Sequence, residues 1–262
     1  MATRLWLRAD LAALWQGRDP FEAAFTTQGE TFRALEQRQT LAFEAGGKRY
    51  FIKRHQGATV REILKNLLQG RLPVVSATNE YKAIRRLESL GVRAPTLAGY
   101  GSRGTLPHAL QSFLVTDDIG PHQTLEDYCR HWPSAPPSFN EKLTLIRQAA
   151  TLARTLHSNG VCHRDFYLCH LLRTTADAPL TVIDLHRALV KPQLPERWKI
   201  KDVAGLYFSA MDIGLTRRDL FRFMRIYRQQ GLRQALKEEA GFWQAVVRRA
   251  DRLYGRQQAA RA

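Results

Sequence analysis

The sequence has no run of about 18 or more apolar residues, so it offers no membrane-spanning helix. Its three cysteines, Cys129, Cys162 and Cys169, cannot all pair within one chain and form no Cys-x-x-Cys. That excludes a disulfide framework and the usual finger spacing for zinc, and free thiols in a reducing cytosol are expected. No Walker-type lysine loop occurs, which argues against a P-loop phosphotransferase. The apolar stretch near the amino terminus is broken by Arg8 and Asp10, too soon for a secretory signal, and the expectation is an intracellular protein. Acidic residues are scarce relative to basic ones, 24 against 40, and the formal charge of +16 favours polyanionic partners such as phosphates, anionic lipid or nucleic acid. A hydrophobic fraction of 44% and a charged fraction of 24% give no case for extensive disorder, and 262 residues suffice for one large domain or two packed lobes.

What is present falls into two halves. From Glu30 to Lys53 short runs alternate, and Gly46-Gly47 between Leu41–Glu44 and Lys48–Lys53 predicts a two-residue hairpin. Residues 59–68 have helical spacing. Ser76 caps a predicted helix with Glu80, Ile84 and Leu87 on one face and Gly91 as its stop. Thr96–Tyr100 and Gln111–Thr116 read as two more strands. Beyond Gly120 helical signals take over. Thr124 opens Leu125–His131, Ser138-x-x-Glu141 is a capping box for a helix reaching His157, and Gly160 ends it. Leu171-Leu172 and Leu180–Ile183 are short strands, and Lys201–Tyr254 is helical, with arginines on its polar face. The spacing predicts an α+β, bilobal chain: a small antiparallel-sheet N-lobe over residues 1–119 and a mainly helical C-lobe over 120–262, packed around one cleft near residue 120.

His163-Arg164-Asp165 stands just after a helix and just before a strand. Protein kinases place a catalytic loop of that spelling there, its Asp accepting or orienting the acceptor hydroxyl. Alone, the tripeptide is a weak signal and more often a solvated turn than a catalytic loop. Other kinase parts follow in the right order. Lys53 ends a strand after a hairpin, where a kinase lysine grips the α- and β-phosphates, and Glu80 on the next helix is placed to hold it. Taken singly, each is also an ordinary surface charge. Asp184 ends the apolar strand Leu180–Ile183, where a hard carboxylate can hold Mg²⁺ against nucleotide phosphates. Asp117 and Ile119, just after the strand ending at Thr116, are the expected backbone contacts to adenine. These residues predict a protein-kinase-like fold that uses ATP.

The departures from the kinase pattern are specific. His170 stands where the pattern has an Asn for a second metal. Imidazole is softer than Mg²⁺ prefers, so metal ligation, a phosphate contact and the holding of a carboxylate all stay open. Asp184-Leu185-His186 replaces Asp-Phe-Gly, and no Gly-rich loop is present. The tip reads Leu35-Glu36-Gln37-Arg38-Gln39, where backbone amides and Arg38 are candidates to cover phosphates and a plain polar turn is the alternative. Gly99-x-Gly101-x-x-Gly104 matches the dinucleotide fingerprint but precedes another strand rather than a helix, so it reads as a flexible hairpin turn. Cys162-His163 and Cys169-His170 do not make a zinc site, because adjacent side chains rarely converge on one ion. The short interval between Asp184 and Asp202, with no Ala-Pro-Glu after it, lacks a peptide platform and points to a small-molecule or glycan acceptor.

Longer stretches are more specific. Leu125-Glu126-Asp127-Tyr128-Cys129, His163–His170, Val182-Ile183-Asp184-Leu185-His186-Arg187 and Gly205-Leu206-Tyr207-Phe208-Ser209 resemble the lipopolysaccharide core heptose kinases, the WaaP or RfaP family of Gram-negative bacteria. The likeness runs from Asp19-Pro20-Phe21 and Tyr50–Lys53 to the carboxyl-terminal helices. It implies transfer of the ATP γ-phosphoryl group, with Mg²⁺, to the first heptose of the inner core, on an acceptor attached to Kdo and lipid A. His170 and Leu185-His186 are ordinary for that family. The implied partners are the lipopolysaccharide core glycolipid and the anionic cytoplasmic face of the inner membrane, where each Lys or Arg near the surface contributes roughly 1 kcal/mol. Candidate contacts are Arg217, Arg218, Arg222, Arg225 and Arg228 on one helix, or Leu5, Trp6 and Trp15 with Arg4 and Arg8 as an interfacial segment. A solvated basic face and a lobe-packing helix are the plain alternatives. Charge alone adds a small acidic carrier protein as a partner, whereas no nucleic-acid motif is present and no nucleic acid is expected. The competing functions are a Kdo kinase, a second-heptose kinase, and a catalytically silent pseudokinase that docks anionic lipid.

Overall fold

The structure, a computed structural model, describes residues 3–35, 37–57, 76–106 and 109–261; the helical spacing of residues 59–68 lies outside them. The chain divides into two compact units, Met1–Arg85 with Pro95–Gly120, and Arg86–Ala94 with Pro121–Ala262.

The first unit holds a six-stranded antiparallel sheet in the order β1 (Thr3–Leu7), β5 (Leu97–Arg103), β6 (Gln111–Asp117), β4 (Lys48–Gln56), β3 (Arg38–Ala45), β2 (Glu30–Leu35). Gly46 and Gly47, with φ of 57° and 72°, join β3 to β4 in a two-residue turn whose left-handed backbone glycine adopts without strain. Helices α1 (Ala9–Leu14) and α2 (Pro20–Thr26) pack on this sheet. Helix α2 begins where the Asp19 side chain accepts a bond from the Glu22 amide and Pro20 fills the first turn, where no N–H is needed. Leu11, Trp15 and Phe21 bury themselves against Leu41, Tyr50, Ile52 and Phe113, and the Trp15 and Phe21 rings meet Phe113 edge-on at 5.6 and 5.3 Å. Strand alternation then decides where Lys53 goes: the face that buries Tyr50 and Ile52 leaves Phe51 and Lys53 on the other.

Two expectations are corrected here. The candidate interfacial segment is part of the fold, because Thr3–Leu7 pairs along β5 from Thr3↔Arg103 to Leu7↔Gly99, Trp15 is buried, and Arg8 bonds both Asp10 and Asp117. Only Leu5 keeps a substantially exposed apolar side chain among the three named. The Gly99–Gly104 fingerprint is a strand rather than a turn over most of its length. A Cβ on Gly99 would come within 2.6 Å of Leu11, and one on Gly101 within 2.3 Å of the Phe113 ring, so both glycines make room for the core; Gly104 alone has a turn backbone, φ 104°.

The second unit is mainly helical: α4 (Leu125–Cys129), α5 (Phe139–Ser158), α6 (Glu196–Ser209), α7 (Arg217–Arg228), α8 (Leu232–Glu238) and α9 (Ala240–Arg261). Thr124 caps α4, Ser138 caps α5, and Thr216 with Asp219 forms a reciprocal capping box on α7. The apolar stripe of α5, from Leu145 to Leu156, is buried in the unit, with α7 packed against α5 and α9 against α6. Two small antiparallel pieces lie among the helices: β7 (Gln123–Thr124), β9 (Leu171–Arg173) and β10 (Thr181–Val182) form one sheet, and β8 (Val161–Cys162) pairs with β11 (Leu189–Val190). All three cysteines are free thiols, and burial pushes that of Cys129 up to about 12, so it stays protonated. Among the described residues no helix is long and apolar enough to cross a membrane.

Candidate active site

Helix α3 (Thr78–Ser89), which belongs to the first unit as far as Arg85, opens with the Thr78 amide donating to Ser76 Oγ, and Gly91 follows its last turn with φ 66°. Its inward face carries Glu80, Ile84 and Leu87, all buried. Lys53, between Thr40 and Leu114 in the sheet register, extends to Glu80 and donates to Oε1 at 2.6 Å. The Glu80 side chain is 3% exposed and its second oxygen is buried without a hydrogen bond. Desolvating a carboxylate to hold one ammonium costs more than a surface pair returns, so the arrangement fixes the lysine's position rather than the fold's stability.

Other residues of this unit are placed less simply. The Asp117 amide donates to Thr96 O at 2.9 Å and its carboxylate holds Arg8 at 2.6 and 2.7 Å, so the backbone group it can offer a base is its carbonyl. Ile119 follows β6 and is partly buried. Arg38 begins β3 opposite His55, while its neighbour Glu36 in the predicted phosphate-covering tip lies outside the described residues.

In the second unit the catalytic loop is built on one buried carboxylate. Gly160 has φ 76° and a Cβ there would fall 1.7 Å from the Lys191 carbonyl, so only glycine lets β8 and β11 come together. After β8 the His163 and Arg164 amides donate to the two oxygens of Asp202 on α6, at 2.7 and 2.8 Å. Asp202 is fully buried and also faces His157 Nε2 at 3.3 Å, and His157 Nδ1 meets the Tyr227 hydroxyl at 2.7 Å. Burial pushes the Tyr227 phenol far up, so it donates to Nδ1, and Nε2–H then donates to Asp202. Burial would raise the Asp202 carboxyl, but its bonds to His157 and the His163 amide hold it below the ordinary range. The loop is held in a left-handed conformation at Arg164, φ 73°, a strain of about 1 kcal/mol or more that the Asp202 bonds sustain. His163 is wholly buried and donates from Nε2 to the Ile183 carbonyl at 2.8 Å; desolvation drives its pKa down against the pull of Asp202, so the ring stays neutral.

Asp165 and Asp184 emerge from this frame with different partners. Arg187 Nη1 donates to both oxygens of Asp165, at 3.0 and 3.1 Å. Asp184 also has a left-handed backbone, φ 59° and ψ 49°, and its carboxylate is bracketed by His186 Nδ1 at 2.5 Å and His170 Nε2 at 3.4 Å. His170 Nδ1 donates to the Asp165 carbonyl at 2.7 Å. Burial lowers the affinity of His170 for a proton, but hydrogen bonds to Cys169 and the Asp165 carbonyl and the charge of Asp184 outweigh it, raising its pKa to about 9. His170 Nε2 faces the Asp184 carboxylate, so the ring is placed to hold that carboxylate in position. Among the described residues no three His, Cys, Asp or Glu side chains form a site that would hold a metal by themselves.

Sequence reasoning missed Asp202, His157, Tyr227 and Arg187. A signal existed for the first, since Asp202 stands beside Val203, Ala204 and Leu206 on the buried side of a helix, where an unpaired acid is rarely found. The second unit also carries a half-open, nearly all-apolar pocket of about 160 Å³ lined by residues including Leu125, Trp132, Leu168, Phe223 and Trp243.

Comparison with known proteins gives one consistent result. The lipopolysaccharide kinase (Kdo/WaaP) family model matches residues 22–227. The chain is 44% identical over 253 residues to the lipopolysaccharide core heptose(I) kinase WaaP of Escherichia coli, covering 94% of this chain and 96% of that one. It is 46% identical over 261 residues to the protein of the same name from Pseudomonas aeruginosa, covering 97% of each. A solved structure described as WaaP in complex with acyl carrier protein superposes with a TM-score of 0.83 at 42% identity, over 96% of this chain and 99% of that one.

Proposed function

The chain belongs to the lipopolysaccharide kinase (Kdo/WaaP) family, and from that premise we propose how its residues carry out the reaction. It is a heptose(I) kinase of the lipopolysaccharide inner core, and as a kinase it draws on ATP. The heptose oxygen bonds to the γ-phosphorus, the bond from that phosphorus to the β-bridging oxygen breaks, and ADP leaves. Asp165 orients the hydroxyl and takes its proton. Lys53, fixed by Glu80, grips the α- and β-phosphates, while the Asp117 carbonyl and the Ile119 backbone are offered to adenine and Arg38 to the phosphates. Asp184, a hard carboxylate one third exposed and aimed by two imidazoles, fits as the holder of Mg²⁺. When bound, that ion neutralises phosphate charge.

The observation that carries this reading is the Lys53–Glu80 pair at 2.6 Å, in which a nearly buried carboxylate is spent on positioning one ammonium. The test is incubation with ATP, Mg²⁺ and unphosphorylated core glycolipid, followed by locating the new phosphate. Asp165→Ala is expected to abolish transfer and leave ATP binding largely intact; near wild-type turnover in that variant would refute the assignment.

The working location is the cytoplasmic face of the inner membrane, reached by charge rather than by a span. An acyl carrier protein is the proposed partner, supported by the complex formed by the 42% identical neighbour and by the +16 charge, which suits an acidic carrier. The apolar pocket in the second unit has the chemistry to take an acyl chain. Loaded carrier should then raise the melting temperature more than unloaded carrier does.

A further inference from the structure

Within the second unit the cations around Asp165 outnumber the carboxylates available to them. Arg187 donates to both Asp165 oxygens. The guanidinium of Arg164 lies 5.2 Å from the Trp198 ring centre, and its Nε is buried without a hydrogen bond. The Lys201 ammonium stands 5.9 Å from the same ring. Burial is the largest influence on Lys201 and pulls its pKa down; the attraction of Asp165 comes next, opposed by the repulsion of Arg164 and Arg187, with a smaller attraction from Asp202. Arg164 is likewise lowered, by burial first and by Arg187 next. The other carboxylate in reach, Asp202, is already committed to two backbone amides and His157. Three partly buried cations thus share the electrostatic reach of the Asp165 carboxylate, which is bonded by Arg187 alone, and crowding like charges in this way costs free energy that a bound anion would recover.

The position says which anion. Asp165 addresses the acceptor hydroxyl, so a negative group bound by these three side chains lies within about one sugar ring of that hydroxyl. We propose that Arg164, Arg187 and Lys201 form an acceptor subsite for an oxyanion, a carboxylate or a phosphate, carried by the glycolipid close to the heptose hydroxyl that is phosphorylated. The oxyanion draws Arg187 away from Asp165, which frees that carboxylate to accept the hydroxyl. Trp198 supplies the flat wall on which Arg164 and Lys201 rest. This inference rests on the heptose kinase reading and gives Arg187 and Lys201 a role in acceptor specificity.

The experiment uses the full chain with three acceptors: the intact unphosphorylated core glycolipid, the same molecule with its carboxyl groups methyl-esterified, and the same molecule with its lipid phosphates removed. Initial rates give KM and kcat for acceptor and for ATP. Wild type is expected to show an acceptor KM raised roughly 10- to 100-fold on one of the two altered acceptors, which identifies the source of the oxyanion. Lys201→Gln and Arg187→Gln should raise the KM for intact acceptor by a similar factor, lose the discrimination between acceptors, and leave the KM for ATP unchanged. Lys201→Arg, which keeps the charge, should restore discrimination and separates loss of the subsite from a folding defect. A wild type that treats all three acceptors alike, or variants whose defect falls on the KM for ATP, overturns the subsite alone. A wild type that phosphorylates no heptose acceptor overturns the kinase reading and the subsite with it.

Discussion

Asp202 carries no charge to substrate, yet the loop that bears Asp165 is fastened to it. Removing its carboxylate leaves two buried amides without acceptors, and each such amide costs roughly 1–3 kcal/mol. Asp202→Ala is therefore expected to lower unfolding stability by about 3–5 kcal/mol in urea titrations. Asp202→Asn keeps one acceptor oxygen and should cost clearly less stability than Ala while still lowering kcat; equal losses in the two variants would show that shape alone, rather than the bonds to the loop, is at work. The same cluster sets the pH response. The folded pKa values of His163 and Asp202 lie below their ordinary values of 6.5 and 3.8, so the folded chain binds fewer protons than the unfolded one. Their contribution is complete above about 6.5 and is lost as pH falls, first through His163 and then through Asp202. His170 works in the other direction: raised to about 9, it contributes fully below 6.5 and ceases to do so as pH climbs through 9. Melting temperature should peak near neutrality, and His163→Gln should flatten the limb between pH 6.5 and 5; an unchanged acid limb would remove His163 from this account.

At the scale of elements, close approach decides which glycines matter. Gly160→Ala puts a methyl group on the Lys191 carbonyl and forces a positive φ on alanine, so a loss of about 3 kcal/mol or more and collapse of activity are expected. Gly255 in α9 has open space around its Cβ position, and Gly255→Ala should raise stability by about 0.5–1 kcal/mol. Differential scanning calorimetry on the pair checks both signs. These elements also show what sequence could deliver. The β3–β4 hairpin, the capped starts of α4 and α5, and the order Lys53, Glu80, Asp165, Asp184 were legible, because each depends on residues a few positions apart or on a known template, whereas the capping box that starts α7 lay unmarked inside a stretch read as continuously helical. Strand β1 was not, since Leu7 finds Gly99 only across most of the first unit, and its arginines and tryptophan resembled a surface segment. Gly99 and Gly101 misled for the same reason: what they accommodate, Leu11 and Phe113, is fixed by the tertiary fold. Arg187 was readable as a residue of the Asp184 stretch, but its bond to Asp165 depends on the chain folding back between β8 and β11.

For the molecule as a whole, charge is the property to be explained, and the structure divides the basic helix α7 into spent and available arginines. Arg222 bonds Asp219, Arg228 pairs with Glu239 among the rings of Tyr227, Phe242 and Trp243, and Arg217 lies over Phe221. Arg218 and Arg225 are exposed. If the surface charge brings the enzyme to an anionic bilayer, these two should carry a share of it, each worth about 1 kcal/mol near the lipid surface. Co-sedimentation with vesicles rich in phosphatidylglycerol should then show binding that weakens about 30-fold in an Arg218→Ser, Arg225→Ser double variant. Arg222→Ser and Arg228→Ser should instead lower stability and leave vesicle affinity nearly unchanged, because those guanidinium groups already answer internal partners. Raising salt to ~0.5 M shortens the Debye length to a few ångströms and should abolish wild-type binding. Binding that survives that salt would be apolar in origin, and the search for the membrane contact would then move from α7 to the exposed hydrophobic side chains Leu5, Phe32 and Val247.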